Sequence, residues 1–268
     1  MKQVIWIAIL MSWIAVAQTR TDMFNQKPNF KAMKTIEKAK KLIDKGKLRS
    51  AEEKLRGIVE EPGFEYQALG YLAIIEDLQG DSESAIELFQ ESIVKFLDHK
   101  NHVIARKKEY LKSMEQEAIS EKNLLGTRKM AYANRIPVQS KGVLGSTSTR
   151  YVSQGNPALV ESVNKEQFDR VEQLKIQLEK DKEMAYPAFF YFKLGNILFK
   201  ANQFEYAQMT YLNAVSSDEA FPDVYPNLAV TYFLANDCEN ASKMVARAET
   251  LGAEVNPGFK RDLARRCP

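Results

Sequence analysis

Four short stretches of the chain repeat one another at a fixed interval. Ala51, Ala85, Ala207 and Ala241 sit in similar contexts, the first two 34 residues apart and the last two likewise. Twelve residues before each lies another small residue: Ala39, Ala73, Gly195 and Ala229. Four residues after each lies a large apolar one, namely Leu55, Phe89, Tyr211 and Val245. Three further on stand Ile58, Ser92, Ala214 and Ala248, and four before each early small residue stand Thr35, Leu69, Tyr191 and Tyr225. Self-similarity at such a period is the mark of a stacked-repeat architecture, and it sets the fold before any local propensity is weighed.

The ladder, with "YFKLGNILFKANQFEYA" and "LQGDSESAIELFQESI" near the family pattern, resembles the tetratricopeptide repeat (TPR) over residues 32–99 and 188–255. The resemblance implies two antiparallel helices per repeat, with small residues where they cross. At such a crossing Gly195 gives up about 1 kcal/mol of helix propensity, which close packing offsets. Gly80-Asp81, Asn202 and Asn236-Asp237 then fall at the turns within repeats, where such residues are favoured. Pro62, Pro187, Pro222 and Pro257 fall near repeat boundaries, where proline starts a helix but does not continue one.

Residues 100–187 interrupt the ladder. Counting 34 on from residue 66 puts a repeat start near Lys100, yet the next clear start is Ala188. Val103, Tyr110, Met114, Ala118 and Leu125 are spaced as a helical stripe, as are Val163, Val171, Leu174 and Leu178. Between them "NRIPVQSKGVLGSTSTRYVSQGNP" reads as loop. The expected organisation is therefore all-α: a helix-turn-helix solenoid with an expanded, insert-bearing central repeat and a capping helix at 256–268. The alternative is two small TPR domains bridged by a helical hairpin. In either case the loop covers 133–157.

The N-terminus has the form of an export signal. Lys2 precedes an apolar stretch from Val4 to Ala17, shorter than the roughly 20 residues a spanning helix needs. It ends in Ala15-Val16-Ala17, a small-x-small cleavage pattern. Cleavage is expected after Ala17, leaving an 18–31 lead segment, no transmembrane span, and a periplasmic or cell-envelope location. A retained membrane anchor is the other reading.

Catalytic chemistry has little footing. His99 and His102 are the two histidines, and a zinc site needs further convergent ligands. No nucleophile elbow, phosphate-binding loop or dinucleotide fingerprint occurs. Neither enzyme activity, a cofactor nor a metal is expected. The 38 basic and 35 acidic residues nearly cancel, so nucleic acid is not an expected partner.

The resemblance supplies a site and a crosslink. Helix A positions that line a TPR groove carry Phe189, Phe192, Asn196, Phe199 and Lys200, then Asp223, Pro226, Val230, Phe233 and Leu234. Phe190 and Tyr191 should face neighbouring helices instead. Asn196, Asn227 and Arg261 match three positions of a carboxylate-binding variant of the repeat, whereas Phe192 and Pro257 stand where that variant has lysine. The implied function is a protein–protein scaffold holding partner segments in the groove. A structural subunit of an envelope assembly, bound through the convex face or the insert, is the alternative; a metal-dependent enzyme is a third. TPR topology also brings Cys238, at a turn, beside Cys267, at the end of the helix expected over 257–267. Export would permit a disulfide there.

Overall fold

The computed structural model describes residues 29–133 and 157–267, with side chains described for 29–117 and 169–267. The leader, its cleavage point and nearly all of the loop expected at 133–157 lie outside the described residues. Every regular element among the described residues is a helix: α1 (Phe30–Asp44), α2 (Leu48–Arg56), α3 (Glu65–Gln79), α4 (Ser82–Ala133), α5 (Pro157–Glu183), α6 (Ala188–Lys200), α7 (Phe204–Ser217), α8 (Val224–Leu234), α9 (Cys238–Thr250) and α10 (Pro257–Arg266).

The contacts divide the chain into two compact units, one running to Phe96 and resuming at Tyr186, the other spanning Leu97–Ala185. In the first unit the helices form an all-α solenoid of TPR-type pairs. Helix α1 packs on α2, α6 on α7, and α8 on α9; α2 also meets α3, and α7 meets α8. The four turns inside the pairs are built alike. Gly46, Gly80, Asn202 and Asn236 all have positive φ. In each turn the next residue's N–H reaches back five residues: Lys47 to Leu42, Asp81 to Glu76, Gln203 to Leu198 and Asp237 to Tyr232, at 2.8–2.9 Å. Glycine enters the left-handed region without cost, and asparagine tolerates it better than most residues.

The ladder of small residues is the core. Ala39, Ala51, Ala73, Ala85, Ala207, Ala229 and Ala241 have no exposed surface, nor do Leu55, Phe89 and Tyr211. Gly195 is explained by one neighbour. A methyl group there would lie 2.6 Å from Cδ1 of the buried Tyr211 ring.

A second glycine has the same purpose between repeats. Helix α6 packs on α3, and a methyl on Gly70 would lie 2.8 Å from Cζ of Phe190. The Phe190 ring sits edge-on to Tyr71 with centroids 5.1 Å apart, and lies 5.7 Å from Tyr186 and 6.2 Å from Phe89. Tyr186 in turn packs on Phe96 at 5.6 Å. The buried Ser92 hydroxyl donates to the Tyr66 carbonyl at 2.5 Å, so the Tyr186 hydroxyl donates to Ser92 Oγ at 2.7 Å. Burial pushes the Tyr186 phenol well above the ordinary tyrosine range. Pairs α3–α4 and α6–α7 are therefore consecutive repeats of one solenoid, although nearly ninety residues separate them in sequence.

Residue 100 is not a helix start, as the 34-residue count implied: α4 runs through it unbroken. No proline or glycine stands near that point to stop the helix. The second unit holds the remainder of α4 and α5. Lys107 Nζ lies 2.6 Å from Asp181 Oδ2, and Lys175 Nζ lies 2.9 Å from Glu115 Oε1, which makes the two helices antiparallel. Val171, Leu174 and Leu178 of the expected stripe are buried. Val103, Tyr110 and Met114 are half-buried.

Helix α10 closes the C-terminal end of the solenoid. It begins with Asn256 capping the Gly258 and Phe259 amides, buries Leu263, and seats Phe259 edge-on against Phe233 at 5.5 Å. Cys238 and Cys267 are joined by a disulfide, with Cα atoms 5.4 Å apart. Asp237 caps α9 by accepting from the Asn240 amide. The Asn240 side chain, and then its amide, hold the Asp237 carboxyl below the usual carboxylate range.

Three outcomes follow from this packing. Gly70→Ala gains about 1 kcal/mol of helix propensity but presses a methyl into a ring confined on three sides, an overpacking cost of about 1–3 kcal/mol; thermal melts should show net destabilisation, and Gly70→Ala/Phe190→Leu should recover part of it. Asp237→Ala lowers Tm at neutral pH. Because the folded pKa is depressed, that contribution is present above the unfolded value of about 3.9 and is lost as pH falls through the folded one; the gap to wild type should close in acid. Closing the loop contributes about 3.5 kcal/mol in the chain-entropy account. Reductant should therefore lower Tm and raise amide exchange over 257–266, while Cys238→Ser shows the same change and no further response to reductant.

Candidate functional site

The inner face of the solenoid carries two adjoining pockets. The first, about 290 Å³, is lined by Asn196, Phe199 and Lys200 of α6, Tyr211 of α7, and Asn227 and Val230 of α8. Its polar floor is fixed. Asn196 Oδ1 accepts from the Tyr211 hydroxyl at 2.8 Å and from Asn227 Nδ2 at 2.7 Å. Burial pushes the Tyr211 phenol up to about 12, so it remains a hydrogen-bond donor at any physiological pH. With its carbonyl oxygen engaged, Asn196 turns its amide hydrogens the other way, and Asn227 keeps its carbonyl oxygen as an acceptor. A donor and an acceptor side by side match a peptide bond. Phe199 and Val230 provide apolar walls, and Lys200 stands exposed at the rim.

The second pocket, about 270 Å³, lies between α1, α3 and α6. Its walls include Tyr71, Ile74 and Leu78 of α3, Phe189 and Lys193 of α6, and Lys40 and Asp44 of α1. Lys193 Nζ lies 5.3 Å over the Phe189 ring. Burial raises the Tyr71 phenol, and the carboxylates of Glu37 and Asp44 raise it further. Lys200 Nζ lies 3.3 Å from Asp77 Oδ2. Asp77 also lines this second pocket, so the ion pair sits where the two pockets meet.

Five of the expected groove residues, Asn196, Phe199, Lys200, Asn227 and Val230, thus converge on one pocket, and Phe189 lines its neighbour. Six line neither: Asp223, Pro226 and Leu234 of the second row, and Phe192, Phe233 and Arg261. Phe192 packs edge-on against Phe221 at 5.5 Å and beside Tyr211 at 6.3 Å, because the loop before α8 folds back over it. Phe233 is covered by Phe259 and by the Arg266 guanidinium, 5.0 Å over its ring. Arg261 is exposed on α10, outside both pockets. As expected for their positions, Phe190 is buried and Tyr191 packs on Tyr186 with centroids 4.9 Å apart.

Sequence reasoning missed the second pocket. Ile74, Asp77 and Leu78 occupy the same repeat positions as Val230, Phe233 and Leu234, so the signal was present. It went unused because the interruption hid the contact of α6 with α3. His99 is half-buried and His102 exposed on α4. Among the described residues no three His, Cys, Asp or Glu side chains converge as a metal site would require, and no helix is long and apolar enough to cross a membrane.

No family model matches the sequence, and no curated protein matches it. Solved structures of similar fold include a thermophilic TPR protein from Thermus thermophilus, 14% identical, covering 88% of this chain and 96% of that one at a TM-score of 0.31. MamA from Desulfovibrio magneticus RS-1 is 12% identical, covering 83% of this chain and 95% of its own at 0.28. YrrB, described as a TPR protein with an unusual peptide-binding site, is 14% identical over 87% of this chain and 91% of its own at 0.25. Scores this low carry no weight for function; the repeat assignment stands on this chain's own helix pairs and turns.

Proposed function

We propose that this protein is a non-catalytic scaffold whose solenoid groove holds an extended segment of a partner protein. The observation that carries the reading is the oriented Asn196–Tyr211–Asn227 floor between apolar walls. Rings and aliphatic side chains supply contact area, and the two amides address the backbone of a strand-like ligand. Neither pocket is lined by a Ser, Thr, Cys or His side chain. The leader pattern and the Cys238–Cys267 pair together support export to the periplasm or cell envelope, where disulfides persist.

A second surface favours the rival reading of a structural subunit. Tyr206 and Met209, one turn apart on α7, are 60% and 52% exposed, and Leu212 continues the apolar face. Such a face suits permanent burial in an assembly.

The test is capture of the tagged protein from its native envelope after crosslinking. Wild type would be compared with Lys200→Ala/Val230→Asp and with Tyr206→Ser/Met209→Ser, each checked for an unchanged melt. Loss of a hot-spot contact costs about 2 kcal/mol or more, so the groove variant should recover about thirtyfold less partner. A partner retained there but lost from the α7 variant would transfer the function to the outer face.

A further inference from the structure

The first helix carries a feature that neither the repeat nor the groove uses. Lys31, Lys34, Lys38, Lys41 and Lys45 recur at intervals of three and four residues along α1. At 100° per residue they fall within an arc of about 80°, in a row about 21 Å long. All five are exposed, and none forms an ion pair with another described residue. Ala32, Ile36 and Ala39 hold the far side of the helix against the core, so the row points away from the solenoid. The surrounding repeat is basic too: residues 29–56 hold ten Lys and Arg against four Asp and Glu, in a chain whose net charge is only +3. The rest of the chain is therefore net acidic, and the positive charge is gathered at this end.

A row of lysines is costly to keep without a partner, because like charges at i, i+3 and i, i+4 repel. The two acidic residues of α1, Glu37 and Asp44, stand on the flank that also carries Phe30 and offset part of that repulsion, Glu37 being three residues from Lys34 and four from Lys41; Asp44 lines the groove. The first turn adds an apolar element. Phe30 is 60% exposed and stands at the edge of the lysine row, about 20° beyond Lys41.

We propose that α1 is a membrane-docking ridge, which lays its lysine row on an anionic phospholipid surface and inserts Phe30 at the headgroup boundary. The chemistry favours a lipid surface over other anions. Lysine is a mobile point charge suited to a diffuse plane of charge, whereas fixed phosphates or carboxylates are better met by the arginine fork, and the row contains no arginine. A soluble polyanion or an acidic helix would use the charges and leave the Phe30 ring in water. An interfacial helix uses both. The groove would remain open to its own ligand, so the two surfaces would place a bound partner at a membrane.

Vesicle flotation of the chain from Gln18 tests this, with phosphatidylcholine alone and with phosphatidylcholine mixed with phosphatidylglycerol. Binding is expected only to the anionic vesicles, weakening as salt shortens the Debye length from about 10 Å at 0.1 M towards 3 Å at 1 M. One lysine near such a surface is worth about fivefold in partition. Lys34→Glu/Lys38→Glu/Lys41→Glu should therefore lose well over tenfold, with an unchanged melt. Phe30→Ser should lose several-fold at constant salt. Absence of wild-type binding to anionic vesicles would overturn the proposal. So would lipid binding unaffected by Phe30→Ser alongside equally tight binding of heparin, which would assign the row to a soluble polyanion. The groove variant Lys200→Ala/Val230→Asp should float like wild type, so failure of the groove reading leaves this test intact.

Discussion

The seat of Phe190 against Gly70 is the contact on which the solenoid depends. The chain leaves the first unit after Phe96 and returns at Tyr186, and the rings of those two residues are 5.6 Å apart. Two chain ends held this close let a long insertion enter without parting the repeats on either side. Aromatic rings suit such a joint because each buries a large area while edge-to-face geometry fixes its angle. Ser92 adds a polar pin, since its hydroxyl links the Tyr66 backbone to the Tyr186 phenol inside the ring cluster. In the other repeats the equivalent of Ser92 is apolar: Ile58, Ala214 and Ala248. The exception stands where the ladder is interrupted, and the joint gives it a physical role.

Two consequences reach the surface. Docking α6 on α3 joins the inner faces of the two repeat pairs, so the pocket of α6, α7 and α8 adjoins the one formed with α1 and α3. The Asp77–Lys200 pair marks the junction. Both partners are at least partly exposed, so solvent screens the attraction and leaves it a small part of the stability; its value is to hold Lys200 over the rim. Helix α1 then faces two ways. Lys40 and Asp44 line the groove, and the row from Lys31 to Lys45 lies on a separate arc of the same cylinder. A single helix can serve both surfaces because its 3.6-residue turn divides neighbouring residues among different faces.

Much of this was written in the chain at short range. The 34-residue period, the small residues at each crossing and the residues at the turns specify helix pairs and their register, because each requirement is met within one repeat. Gly195 illustrates the limit of that reading. The sequence implied a close approach, and the structure supplied the object, the Tyr211 ring. The convergence of Asn196, Phe199, Lys200, Asn227 and Val230 was legible because equivalent positions in neighbouring repeats face the same way. Phe192 and Phe233 were misplaced for the converse reason. A loop and a capping helix, which no repeat position encodes, fold over them.

The sequence by itself determined the local architecture: helix, turn, helix, repeated, with a pair of cysteines brought to one edge by the same topology. Tertiary structure decided which repeats are neighbours. Residue spacing measures distance along the chain, and nothing in it reports that Phe96 and Tyr186 meet across the insertion. That meeting is made by ring packing around Gly70, Ser92 and Phe190, and it decides that the groove extends from α8 to α1.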